Sequence, residues 1–146
     1  MTSYTAPTRD MQFAMDALGL LPALAALPDY VDATPDLRDA MLEEAGKLAG
    51  DLLAPINFSG DQQGAVLENG VVRTADGFKE AYAAYVEGGW NSLAFDPEFG
   101  GQGLPWTLST ALWEMWDAAN MSFTLCPLLT QAAIDALERH GTPEQQ

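Results

Sequence analysis

Gly88-Gly89-Trp90-Asn91-Ser92-Leu93-Ala94-Phe95-Asp96-Pro97-Glu98-Phe99-Gly100-Gly101-Gln102-Gly103-Leu104-Pro105 places five glycines and two prolines in eighteen residues between two strongly helical segments. Helix–helix connections ordinarily run to a few residues, so a loop this long predicts a shaped surface rather than slack. Upstream of it, residues 76–88 read as a helix burying Phe78, Tyr82, Tyr85 and Val86, with Gly88-Gly89 as its stop. Downstream, Pro105 opens a helix at the first-turn position. That helix carries Trp106, Leu108, Leu112, Trp113, Met115 and Trp116, and it is apolar around most of its circumference. Such a helix is expected to lie sandwiched between layers. Residues 122–140 then repeat Leu125, Leu128/Leu129, Ala132/Ala133 and Ala136/Leu137 at helical spacing. Pro127 falls inside this pattern, so the helix either begins there or kinks there.

Toward the N-terminus the pattern is also helical. Residues 8–19 put Met11, Met15 and Leu18 on one face, and Gly19 closes the segment; residues 20–28 predict only a short helical turn. Thr34, Pro35 and Asp36 form a cap, a first-turn proline and a first-turn acid. The helix behind them carries Leu37, Met41, Leu42, Ala45, Leu48, Ala49, Leu52 and Leu53, with Glu43, Glu44, Lys47 and Asp51 on its wet side, and Pro55 is expected to end it. Residues 56–75 change character. Asn69-Gly70 between Ala65-Val66-Leu67 and Val71-Val72 predicts a short β-hairpin, which is expected to lie on the helices because a two-stranded ribbon alone is marginal. The fold class is therefore all-α, a helical bundle with one short hairpin. Its domain spans residues 1–141, with the hairpin-bearing connection at about 56–75 and the glycine-rich loop at 88–105. Thr142-Pro143-Glu144 reads as a further helix start with too little chain behind it to complete a helix. Residues 142–146 are accordingly read as the beginning of a following segment in a longer protein.

Composition narrows the function classes. The 146 residues carry 21 acids against six basic residues, a net charge of −15. Arg9, Arg38, Lys47, Arg73, Lys79 and Arg139 are scattered, so no basic strip exists to neutralise phosphates; neither nucleic acid nor an anionic membrane surface is an expected partner. No apolar run approaches the roughly 18 residues of a membrane span, and the N-terminus lacks a secretory layout. One cysteine cannot staple the fold, which suits a reducing cytoplasm.

The chemistry-bearing residues do not assemble into a catalytic set. Gly100-Gly101-Gln102-Gly103 lacks the preceding parallel strand and the following Lys-Ser/Thr of a phosphate loop, so its glycines are read as supplying positive φ and close backbone packing. His140 is placed to complement a helix C-terminus, and Cys126 among Leu125, Pro127 and Leu128 reads as a buried, inert thiol. With a single histidine and a single cysteine there is neither a metal cluster nor a nucleophile–base pair. Glu114, on the most apolar helix, is the best candidate for a carboxylate base, weighed against a place on that helix's one wet stripe.

The series Gly89 to Leu93, Pro97 to Pro105, Glu114 and Asn120-Met121-Ser122-Phe123 resembles the N-terminal helical domain of the acyl-CoA dehydrogenases. Residues Leu128 to Gln146, ending in His140-Gly141-Thr142-Pro143-Glu144-Gln145-Gln146, resemble that domain's last helix and the start of the next segment. Tyr4-Thr5-Ala6-Pro7, Asp10-Met11, Phe13 and the Glu68-Asn69-Gly70-Val71 hairpin resemble the large bacterial branch that includes 3-methylmercaptopropionyl-CoA dehydrogenase. One departure is Leu125-Cys126-Pro127-Leu128, where that branch is expected to flank the proline with tyrosine and glycine; it bears on pocket shape.

The resemblance implies an FAD-dependent α,β-dehydrogenation of an acyl-CoA thioester, with a glutamate as base and an electron-transfer flavoprotein as electron acceptor, in a homo-oligomeric enzyme. It places the base and most flavin contacts outside this sequence, so no catalytic or FAD-binding residue is carried over and the chain alone is expected to be inactive. What it assigns to this chain is one wall of the acyl pocket, at Leu125, Leu128, Leu129 and Ala132. The competing reading is a stand-alone acidic helical module acting through protein contacts, which accounts for the charge but not for the loop or the hairpin.

Overall fold

The computed structural model describes residues 3–146. Six helices and one hairpin follow in the order α1 (Thr8–Ala17), α2 (Leu20–Ala25), α3 (Pro35–Lys47), α4 (Ala54–Gln63), β1 (Val66–Glu68), β2 (Val71–Arg73), α5 (Phe78–Glu87) and α6 (Trp106–His140). The all-α fold class with one hairpin is thus the architecture found. Thr34 caps α3 as its sequence predicts, its hydroxyl accepting the Leu37 N–H at 3.2 Å. Met41, Leu42, Ala45, Leu48, Ala49 and Leu53 are buried, whereas Leu52 of the same pattern is exposed. Lys47 on the wet side pairs with Glu43 and Glu44. Arg38 is buried where α1 meets α3, held by Asp39 at 2.7 Å and by Asp16 of α1. The Asp39 hydrogen bond, ahead of that to Asp16, holds the guanidinium in its charged form against its burial.

Pro55 does not end the helix. The chain passes from α3 through a π-helical stretch, Leu48–Leu53, directly into α4, with Pro55 in the first turn of α4. Proline removes an N–H and crowds the carbonyl one turn back; the wider i→i+5 winding just before it provides a way to continue.

The hairpin also departs from expectation. Its register pairs Val66 with Arg73, Leu67 with Val72 and Glu68 with Val71, and Asn69 (φ 51°) and Gly70 (φ 78°) supply the positive-φ turn. It does not lie on the helices: all six strand residues are exposed. In α5 the buried positions are Ala81 and Tyr85, while Tyr82 and Val86 face solvent and Phe78 is half-buried. Leu18, beyond the end of α1, is exposed although Met11 and Met15 are buried as expected.

The last element decides the shape. The backbone is helical from Trp106 to His140 except at Asn120, whose φ of −161° and ψ of 85° are extended. The extended residue is a corner between two helical limbs. A straight helix would separate Trp113 from Gln131 by about 27 Å, yet Trp113 Nε1 donates to Gln131 Oε1 at 3.1 Å. The limb 121–140 therefore folds back along the limb 106–119 as an αα-hairpin. The sequence predicts two helices here, with Pro127 as a start or a kink; the corner is Asn120, and Pro127 is buried inside the second limb.

The inner limb is sandwiched, as its composition predicts. Leu108, Leu112, Met115, Trp116 and Ala119 are buried, and α6 packs on α3, the π stretch and α4. Trp116 meets Tyr85, Trp90 and Trp113 edge-on at centroid distances of 5.3, 5.7 and 5.7 Å. Among the described residues no helix is long and apolar enough to cross a membrane.

Candidate functional site

The glycine-rich loop folds as a knot of backbone bonds that covers the start of α6. Gln102 N–H reaches Ser92 O, Gly103 N–H reaches Phe95 O and Leu104 N–H reaches Leu93 O, all within 2.8–2.9 Å. Gly100 (φ 87°) and Gly103 (φ 64°) take positive φ, and a Cβ on Gly101 would overlap the Phe95 carbonyl. Positive φ and close backbone approach are thus the roles these glycines play. The Gly100 and Gly101 amides are also engaged, by Pro97 O and Asp96 O. With every amide from Phe99 to Leu104 bonded to a carbonyl, none is left to cradle a phosphate. The residues of this chain therefore do not fit the pyrophosphate of FAD at the loop where a glycine-rich motif would suggest it.

The loop instead positions Phe95 edge-on against Trp106, 6.0 Å between ring centroids. Trp106 is half-exposed at the open end of the αα-hairpin. There it lines a shallow groove of about 420 Å³ with Leu128, Gln131, Ala132, Asp135 and Arg139. Two of the four residues assigned to a pocket wall, Leu128 and Ala132, lie in this groove. The other two, Leu125 and Leu129, belong to the same stripe, because i, i+3/i+4 and i+7 share a helical face. All four are exposed, Leu129 at 70 %. Core packing within this chain does not account for them.

What keeps an apolar stripe facing outward is the polar anchoring on the limb's other side. Gln131 is buried, accepts from Trp113 Nε1 and donates through Nε2 to Tyr85 Oη at 3.4 Å, so one side chain ties the outer limb to the inner limb and to α5. Burial, then the neighbouring Tyr82, pushes the Tyr85 phenol well above its usual range, with Gln131 acting weakly the other way. Phe123 seals the corner against Tyr85 at 5.9 Å. Arg139 closes the rim of the groove, bonded to Asp135 at 2.8 Å. The sequence reading assigns no site role to Gln131, Trp106 or Asn120, although signals for two of them are present. Gln131 is the one amide in an apolar run, and Asn120 stands where a helix cap stands, before Phe123.

The remaining candidates separate from this site. Glu114 is exposed on the wet stripe of the inner limb, which is the alternative weighed for it. Cys126 is exposed, not buried, because the outer limb turns it away from the Phe123–Thr124–Pro127 side. His140 sits in the last turn of α6, exposed, where a cation complements the helix end. At Thr142 the chain starts another turn: Gln145 Oε1 accepts the Thr142 N–H at 2.9 Å, the reach-back half of a capping box. A second cleft, about 310 Å³, lies between the glycine-rich loop and the end of α6, lined in part by Asn91, Phe95, Phe99, Leu137 and Glu138. Among the described residues no group of three or more metal-ligating side chains converges.

Comparison with known proteins agrees with this architecture. Residues 38–146 match the family model described as "Acyl-CoA dehydrogenase, N-terminal domain". The chain is similar to a 3-methylmercaptopropionyl-CoA dehydrogenase of Ruegeria pomeroyi, 44% identical over 144 residues. That match covers 99% of this chain and 24% of the relative, so the chain spans about a quarter of the length of the curated relative it matches.

Proposed function

From the premise that this chain belongs to the acyl-CoA dehydrogenase family, as its N-terminal domain, we propose that it serves an FAD-dependent enzyme that introduces an α,β double bond into an acyl-CoA thioester. Residues 1–141 are the helical domain and residues 142–146 open the segment that follows. The catalytic carboxylate and most of the FAD site are supplied by chain outside these residues, electrons pass to an electron-transfer flavoprotein, and the full-length enzyme works as a homo-oligomer in the cytoplasm.

The domain's own contribution is the acyl-chain wall. The observation that carries this reading is the solvent-facing stripe Leu125, Leu128, Leu129 and Ala132, held outward by the buried Gln131 bridge. An apolar stripe on a rigid, anchored limb removes water from an acyl tail and restricts its orientation, which lowers the entropic part of the barrier when the thioester end reacts. It offers no free proton acceptor: the carboxylate that lines the groove, Asp135, is paired with Arg139. The resemblance to an enzyme whose name specifies a thioether-bearing acyl group makes short, sulfur-containing acyl chains the first substrates to try.

The test is turnover of a panel of acyl-CoA thioesters by the full-length protein with an artificial electron acceptor. Activity that depends on acyl length and falls in Ala132→Trp is expected; the absence of turnover across the panel in a flavin-loaded protein overturns the reading. The isolated 146-residue chain is expected to be colourless and inactive.

A further inference from the structure

The αα-hairpin that presents the stripe has almost no loop. Its reversal is made by one fully buried residue, Asn120 (0 % exposed), and every polar atom of that side chain is engaged. Oδ1 accepts the Phe123 N–H at 3.1 Å and the Ser122 hydroxyl at 2.7 Å, so it caps the outer limb. Nδ2 donates to Leu53 O at 3.1 Å. Leu53 is the last residue of the π-helical stretch, two residues before Pro55. A second strap crosses the same corner: the Thr124 hydroxyl donates to Asp117 Oδ1, with Met121 O at 3.0 Å as the alternative acceptor for its one proton.

We propose that Asn120 is the positioning residue of the acyl wall: its amide, anchored on the Leu53 carbonyl, sets the angle of the outer limb and thereby the acyl-chain selectivity of the full enzyme. The inference deepens the reading of the stripe as a pocket wall and rests on it. Leu125 lies only five residues past Asn120 and Ala132 twelve, so a small rotation at the corner becomes a larger displacement along the stripe. The Gln131 bridge fixes the limb's rotation farther out, but it cannot fix the corner itself. Asparagine is the residue that does both jobs, because one end of its amide accepts and the other donates. Aspartate keeps the cap and loses the donor, and its oxygen would then face the Leu53 carbonyl. The π stretch acquires a role in the same account, since it delivers the carbonyl that the corner docks on.

The experiment uses the full-length, flavin-loaded enzyme and the variants Asn120→Asp and Thr124→Val, with two acyl-CoA substrates differing by several methylenes. Dissociation constants by calorimetry are read beside kcat/KM. In Asn120→Asp the ratio of the two substrates' kcat/KM is expected to change by about tenfold, and the ratio of dissociation constants in the same direction, a size that small misplacements of a bound substrate produce. Thr124→Val, which loosens the same corner without touching the Leu53 anchor, is expected to shift both ratios less. It also supplies the test if Asn120→Asp does not fold: an unchanged ratio then overturns the proposal. A folded Asn120→Asp enzyme with both ratios within about twofold of the parent overturns it as well and leaves the pocket-wall reading standing. A parent enzyme that turns over no acyl-CoA overturns both.

Discussion

The two limbs of α6 have similar compositions and opposite fates. The inner limb buries Leu108, Leu112, Met115 and Trp116; the outer limb exposes Leu125, Leu128, Leu129 and Leu137. Both show large apolar residues at three- and four-residue spacing, so periodicity announces a helix in each case but does not say what covers it. The distinction lies in the other face. The inner limb keeps Thr110 and Glu114 wet and buries the small hydroxyl of Ser109, whereas the outer limb sends Thr124 and the long amide of Gln131 inward. A limb that buries Thr124 and Gln131 while it shows four leucines presents an apolar side to something outside its own core.

The largest test of that contrast is truncation in the inner limb. Trp116→Ala is expected to destabilise the chain by about 3–5 kcal/mol, the cost of emptying an aromatic site in a packed core. The indole N–H is unpaired within its ring of Tyr85, Trp90 and Trp113, which argues for the lower end of that range. Urea denaturation followed by far-ultraviolet circular dichroism measures it, and a loss under about 1 kcal/mol would mean that the inner limb is not the core.

Next in size is the loop that covers the inner limb's first turn. Gly101→Ala drives a methyl into the Phe95 backbone, against both its carbonyl oxygen and its carbonyl carbon. Backbone cannot swing away as a side-chain tip can, so about 1–3 kcal/mol of destabilisation is expected. Because Phe95 abuts Trp106, tryptophan fluorescence should change in the folded variant as well. Unchanged fluorescence with full stability would separate the loop from the groove.

The helix starts, the hairpin turn and the sandwiched inner limb are legible because each has a local chemical signature: a capping threonine, Asn-Gly, or apolar residues around a whole circumference. What escapes is decided at a distance. Pro55 looks like a stop until the π stretch ahead of it is seen to absorb the proline. Pro127 is the strongest local helix breaker, yet the corner falls at Asn120, where a tertiary partner, Leu53 O, waits sixty-seven residues back. Neighbourhood and periodicity assign Cys126, Tyr82 and Val86 to the interior, but their helices turn other faces inward. The hairpin's exposure is likewise invisible to a reading that knows only that ribbons need support. The stripe itself comes from resemblance; its four residues share one face, and the lone amide Gln131 stands out in that apolar run, but its partners Trp113 and Tyr85 are distant in sequence.

The joint between the limbs and α5 has a pH signature. Tyr85 carries a folded-state pKa raised above the ordinary 10.0, chiefly by burial. Above about pH 10 the unfolded chain releases this proton while the folded chain retains it, so stability is full below that pH and declines above it. The slope from this group approaches about 1.4 kcal/mol per pH unit, or about 1 kcal/mol lost by about pH 11. Tyr85→Phe is expected to lose the Gln131 acceptor at neutral pH, about 1 kcal/mol, and to decline less steeply between about pH 10 and 11. Parallel alkaline stability curves for the two proteins would show that the phenol is not enclosed between the limbs.

The smallest expected effect is the sharpest. Leu129→Ala removes as much hydrocarbon as a core truncation, but from a side chain that is 70 % exposed. Its stability change should stay within about 0.5 kcal/mol, against several for an inner-limb leucine such as Leu112→Ala. If the outer stripe is a wall for an acyl tail, the same substitution in the full-length enzyme should weaken the longer of two acyl-CoA substrates more than the shorter while leaving the melting temperature in place. Stability and selectivity then separate by limb: inner-limb truncations unfold the domain, and outer-limb truncations change what it holds. A Leu129→Ala variant that destabilises like Leu112→Ala would make both limbs core, and the outward leucines would need a partner within the folded domain rather than a substrate.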